Sequence, residues 1–268
     1  MKMMKSVCCL GLALTMSVTL LAGCGSKPAP SAAAWTSAAD LEGKKIAVQE
    51  GTTGNSVASE VKDAEVSTFK AATACAMELM NGRVDCVIID SNPALKLVEA
   101  NADKLKVLDF PASEDKETYA IATQKNDGGA ALAEEFNAAM KTLKEDGTFD
   151  AIMQKYIAGE DVTLPALPTY TAKGTLVMGT NCEFEPFEFL TSDGTPTGFD
   201  VDYVKYLCAV MGYDVTVENL DFDALIPALQ SGRVDFIAAG LTKNPEREEN
   251  ANFTEGYYEA VQSIIVKK

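Results

Sequence analysis

"DFDALIPALQSGRVDFIAAG", residues 221–240, holds the tetrapeptide GRVD at 232–235, and "AATACAMELMNGRVDCVIID", residues 71–90, holds the same four residues at 82–85. Both copies read in one order: an apolar helical stretch, a glycine stop, then an apolar run. Glycine suits the left-handed residue just past a helix end. Asp221 is placed to cap its helix, and Pro227 makes that helix start late or kink. The runs "FIAAG" and "CVIID" are apolar throughout, as strands covered on both faces are. Two such helix-to-strand units predict an α/β protein with two separate sheets.

The same pattern extends outward. "KKIAVQE" (44–50) reads as a strand, and "GTTGNSVASEVKDA" as a glycine-rich turn entering a helix. "LKVLDF" (105–110), "YAIATQK" (119–125), "TLVMGT", "DVTVENL" and "YYEAVQSIIVKK" read as further strands. Leu132, Phe136, Met140 and Leu143 fall on one helical face, with Gly147 as the stop. "FDVDYVKYLCAVMG" places Val204, Leu207, Cys208 and Met211 on another. Residues 160–174, "EDVTLPALPTYTAKG", carry turn residues and predict a connector.

The first 23 residues are not part of this pattern. A basic "MKMMK" precedes an apolar run that ends in small residues, the layout of an export leader. Its end, Leu21-Ala22-Gly23-Cys24, resembles a bacterial lipobox, which implies cleavage before Cys24 and a lipid on that thiol. Residues 24–39 are small, contain proline, and read as a flexible tether. The chain carries a net charge of −16, which repels phosphate backbones and excludes nucleic acid as a partner. Cys75, Cys86, Cys182 and Cys208 form no CxxC pair, so no metal site is expected and buried free thiols are. With no histidine in the chain, the usual general base near neutral pH is missing.

"GTNCEFEPFEF", "GFDVDYVKYLCAVMG", "FDALIPALQSGRVDFIAAGLTKNPERE", "GYYEAVQSIIVKK" and "DLEGKKIAVQEGTTG" together resemble the bacterial extracellular solute-binding proteins of family 3, the amino-acid receptors of ABC importers. Tyr203 departs from the aliphatic residue usual in that signature. The resemblance implies a two-lobed, type II periplasmic-binding-protein-like α/β clamshell that needs no cofactor. The order of the segments departs further. In the family the segment like "GTN…PFEF" comes first and the one like "GKKIAVQ" follows "IIVKK"; here "GKKIAVQ" comes first. The chain therefore looks circularly permuted. The connector joins the old ends, and its fifteen residues can reach about 50 Å. The expected layout is one contiguous lobe over 40–122, a hinge at 123–127, and a second lobe over 128–268. "YAIATQK" would be the single covalent hinge. The expected state is a monomer, with exchange of a lobe between two chains open to so thin a link.

A bound amino acid brings a carboxylate and an ammonium, and a dry site must pair both. By the resemblance, Arg247 forks the α-carboxylate, a task that suits its planar donors. Asp90 takes the ammonium. Thr242 and Gly240 offer a hydroxyl and backbone groups, and Gly51, Thr52 and Thr53 open a helix toward the carboxylate. Phe184 and Phe222 flank the ligand's side chain. Asn181 stands where relatives carry aspartate and does not demand a cation. Glutamine is therefore the expected ligand, and a basic amino acid the second. Gln49, Glu183 and Glu185 lie near enough in sequence to influence specificity. The chain is expected to bind and not to catalyse, anchored outside the cytoplasm and serving a permease. The alternatives are a dehydratase on the same fold, with Glu183 or Glu185 as acid and prephenate or arogenate as substrate, and a ligand-sensing domain.

Overall fold

The structure, a computed structural model, describes residues 35–268. The leader, Cys24 and the first part of the tether lie outside the described residues. The rest of the tether is ordered: Trp35 is buried, and Ala38–Leu41 form a 3-10 turn that places Leu41 in a core with Ile264 and Val266.

In chain order the elements are β1 (Lys45–Gln49), α1 (Thr53–Glu60), β2 (Glu65–Phe69), α2 (Ala72–Met80), β3 (Cys86–Asp90), α3 (Ser91–Glu99), β4 (Leu105–Pro111), β5 (Glu117–Tyr119), β6 (Ala122–Gln124), α4 (Asp127–Glu145) and α5 (Thr148–Tyr156). After the connector come β7 (Thr175–Thr180), β8 (Glu183–Phe184), β9 (Glu188–Leu190), β10 (Pro196–Thr197), α6 (Phe199–Met211) and β11 (Asp214–Asn219). The chain continues through α7 (Leu225–Gln230), β12 (Phe236–Ile237), α8 (Pro245–Glu248), β13 (Ala251–Phe253), β14 (Tyr258–Ala260) and β15 (Gln262–Lys267).

Two five-stranded sheets have matching orders, β2-β1-β3-β15-β4 and β11-β7-β12-β6-β13. In each, three parallel strands meet one antiparallel strand in the fourth position. The two GRVD units sit at equivalent places, before β3 and before β12. Gly82 and Gly232 both take left-handed backbone, with φ of 70° and 73°. Val84 and Val234 are buried. Asp85 Oδ2 accepts the Lys45 N–H at 2.9 Å, and Asp235 Oδ2 accepts the Val177 N–H at 2.7 Å. The repeated tetrapeptide thus stops a helix, plugs a core and caps the neighbouring parallel strand in both lobes. Asp221, by contrast, makes no side-chain capping bond.

The expected lobe boundaries need correction. The expected hinge, 123–127, is no hinge: residues 123 and 124 belong to β6, hydrogen-bonded between β12 and β13, and α4 starts at Asp127. Gln262–Lys267 do not belong with 128–261. As β15 they lie between β3 and β4, in the other sheet. The run is almost wholly buried, so its backbone needs partners on both sides, and β3 and β4 supply them. The chain therefore crosses between the lobes twice, at β5–β6 and at β14–β15. The two crossings pair with each other, Tyr119 opposite Tyr258. A single thin link does not exist, and the expectation of lobe exchange loses its basis.

Residues 160–174 form no helix or strand. They run over α6, where the Tyr206 hydroxyl donates to the Pro165 carbonyl, and Lys173 bonds Gly212 before β7 begins. Cys75, Cys86, Cys182 and Cys208 are buried and unpaired.

Candidate functional site

In open α/β sheets the carboxyl ends of parallel strands leave backbone groups unclaimed and form the natural ligand crevice. Four such ends converge here. β1 leads into Gly51, Thr52 and Thr53, β3 ends on Asp90, β7 leads into Asn181, and β12 leads into Gly240 and Thr242. With Gln49, Phe184, Phe222 and Arg247, these residues line a tightly closed cavity between the lobes, with only about 10 Å³ of free space. Of the ten expected ligand-binding residues, only Gly51 does not line it. Gly51 (φ 77°) packs against Asp223 of the opposite lobe and gives its carbonyl to Arg247.

Arg247 stands on α8, whose start is capped by the Asn244 side chain. Its Nη1 donates to the Thr242 carbonyl at 2.7 Å and its Nη2 to the Gly51 carbonyl at 3.0 Å. The guanidinium lies 5.5 Å from the Phe222 ring centroid, so this ring faces the arginine. No carboxylate pairs with Arg247 among the described residues. A cation held only by neutral groups is poised for an anion.

Asp90 begins α3 but makes no capping bond with its side chain. It accepts the Tyr119 hydroxyl at 2.7 Å. Burial, and then the charge of Glu117, push its carboxyl up to about 7. An ammonium beside it would restore the ionised form. Thr52 is less available than expected. Its hydroxyl donates to the Gln49 carbonyl at 2.8 Å and accepts the Asn55 N–H at the start of α1. Gly240 donates its N–H to Asp200 at 2.8 Å, so only its carbonyl is left for a ligand. A side chain there would collide with Phe184, 2.6 Å from the Cβ position.

At the other end of the cavity Gln49 Nε2 donates to Asn181 Oδ1 at 2.9 Å across the lobes, and Asn181 Nδ2 donates to the Leu220 carbonyl. Gln49 Nε2 also donates to the Lys70 carbonyl, and the Lys70 ammonium bridges Glu50 at 3.0 Å and Asp223 at 2.7 Å. Glu183 and Glu185 are exposed and line an outer groove, not this cavity.

Sequence reasoning missed the groups behind the cavity. Glu117, Tyr119 and Gln262 come from the two crossings, and no local pattern marks them. Glu188 and Asp200, both buried, lie beneath Gly240. Asp200 also accepts the Tyr257 hydroxyl at 2.7 Å. Burial, and then the charge of Asp200, raise the Glu188 carboxyl far above the ordinary range.

Residues 176–268 match the model of the bacterial extracellular solute-binding proteins, family 3. The arginine-binding extracellular protein ArtP of Bacillus subtilis is 40% identical over 98 residues, 37% of this chain and 38% of that protein. The L-arginine-binding protein of Pseudomonas aeruginosa is 34% identical over 103 residues, 38% of this chain and 40% of that protein. The arginine-bound form of domain 1 from TmArgBP, a solved structure of a mutant, is 31% identical; the alignment covers 36% of this chain and 80% of that one, with a TM-score of 0.32. Residues 176–268 belong to this family. The fold around them is mixed α/β, with two five-stranded sheets of matching strand order. The chain spans 38% and 40% of the length of the two curated relatives it matches.

Proposed function

We propose that this chain is an extracytoplasmic receptor that captures one polar α-amino acid between its lobes and presents it to an ABC permease. The observation that carries the reading is the pairing of Arg247, a cation without a carboxylate partner, with Asp90, a buried carboxyl, on the walls of one cavity. A zwitterionic head group answers both at once. Ligand that bridges the lobes favours the closed form, because only that form brings both groups to it. Names support the ligand class: the curated relatives above are called arginine-binding. The amide pair of Gln49 and Asn181 supports a neutral polar end, so arginine and glutamine are the first ligands to test. Binding without turnover fits the exposed position of Glu183 and Glu185. The leader over 1–23 and the lipid on Cys24 remain the proposed anchor.

The order of segments supports a circular permutation. A collinear alignment recovers one block, 176–268. Leu41 packs on Ile264 and Val266, so the segment entering β1 starts beside the last strand. Isothermal calorimetry with the twenty amino acids tests the function. Micromolar or tighter binding of arginine or glutamine is expected, and binding of none of the twenty would end the receptor reading.

A further inference from the structure

Behind the cavity lies one carboxylate that collects hydrogen bonds from both lobes. Thr53 Oγ1 and Thr242 Oγ1 each lie 2.6 Å from Glu117 Oε2. Gln262 Nε2 donates to Glu117 Oε1 at 3.0 Å and lies 3.2 Å from Thr53 Oγ1. The backbone fixes this arrangement. Tyr119 bridges Thr242, and the Lys243 N–H bonds the Thr118 carbonyl at 2.8 Å, so β5 is strapped to the loop that carries Thr242. Glu117 itself does not line the cavity, whereas Thr53 and Thr242 do.

A carboxylate only accepts, and a hydroxyl has one proton to give. Both threonine protons are therefore spent on Glu117. Toward the cavity the two hydroxyls present lone pairs alone. This part of the site is an all-acceptor surface, opposite in kind to the guanidinium of Arg247.

We propose that Glu117 is a positioning residue that turns Thr53 and Thr242 into acceptors for the ligand's α-ammonium, and so sets which way round the head group sits. The inference rests on the receptor reading above. It assigns the selectivity for a free amine to a residue that never touches the ligand.

The test compares Glu117→Gln with wild type, using L-arginine against its des-amino analogue 5-guanidinopentanoate, and L-glutamine against 5-amino-5-oxopentanoate. Each analogue keeps the carboxylate and side chain and lacks only the ammonium. In wild type the amino acid is expected to bind far more tightly than its analogue. In the variant the hydroxyl protons are released to the cavity, and the amino acid is expected to weaken about tenfold or more while the analogue holds or gains. Glu117→Ala, which also frees both protons, should narrow the ratio in the same way. A ratio unchanged in both variants, or equal loss of amino acid and analogue, would overturn the inference and leave Glu117 a structural residue. If wild type binds neither amino acid, the receptor reading falls first and takes this inference with it.

Discussion

Arg247 and Asp90 carry the proposed receptor function at the scale of single residues. Neither is spent on its own surroundings: the arginine holds two carbonyls, and the aspartate one hydroxyl. Removing one partner of a desolvated charge pair strands the other and costs about 2–5 kcal/mol. Arg247→Ala is therefore expected to weaken amino-acid binding roughly 30- to several-thousand-fold, with the circular dichroism of the fold unchanged. Titration calorimetry within threefold of wild type would remove Arg247 from the site. Thr52 teaches the opposite lesson. A residue at the right place in a motif can be fully occupied by capping its own helix.

At the scale of the element, the GRVD unit explains why one chain carries the same small piece twice. Each lobe needs a helix stopped at once, so that the next strand can enter beside its neighbour. The aspartate then closes the junction by bonding an N–H of the adjacent strand and receiving that strand's carbonyl at its own N–H. Truncating such an acceptor leaves a backbone donor unpaired, at about 1–3 kcal/mol. Asp85→Ala and Asp235→Ala are each expected to lower the stability measured by urea unfolding by that order, and by similar amounts. A large loss for one and none for the other would show that the two junctions are not equivalent.

On the scale of the whole molecule, the lobes are joined by two paired crossings, and buried carboxyls cluster where those crossings meet the sheets. Asp90 is raised to about 7 and Asp200 to about 6, both first by burial, and Glu188 is raised by burial and then by Asp200. In the unfolded chain these groups titrate near 4. Carboxyls raised in the native state contribute stability that is full below the unfolded pKa and is lost as pH rises through the native one. The empty protein is thus expected to melt higher at pH 5 than at pH 7.5, by roughly 2–4 °C for each kcal/mol involved. Under the proposed receptor function, ligand affinity should run the other way, because the ligand's ammonium would pair with ionised Asp90. Melting curves at both pH values, with and without arginine, check both signs. A ligand-induced shift that is larger at pH 5 would contradict the role given to Asp90.

Much was legible in the residues alone. Hydrophobic runs and glycine stops revealed two α/β cores, because periodicity and backbone permissiveness are local properties. The cavity-lining set was legible through the family resemblance, whose motifs sit at strand ends, where chain geometry already forces the crevice. Three matters needed the tertiary structure. "YAIATQK" and "YYEAVQSIIVKK" each read as one strand, yet each divides into a crossing strand and a sheet strand; β-branched sequence states that a run will be buried, not which sheet has the vacancy. For the same reason the lobe boundaries were misplaced. Glu117 and Gln262 come together from positions far apart in sequence, so no spacing rule could join them. Their meeting depends on how two crossings pair at the waist, and that pairing is decided only when both sheets are already built.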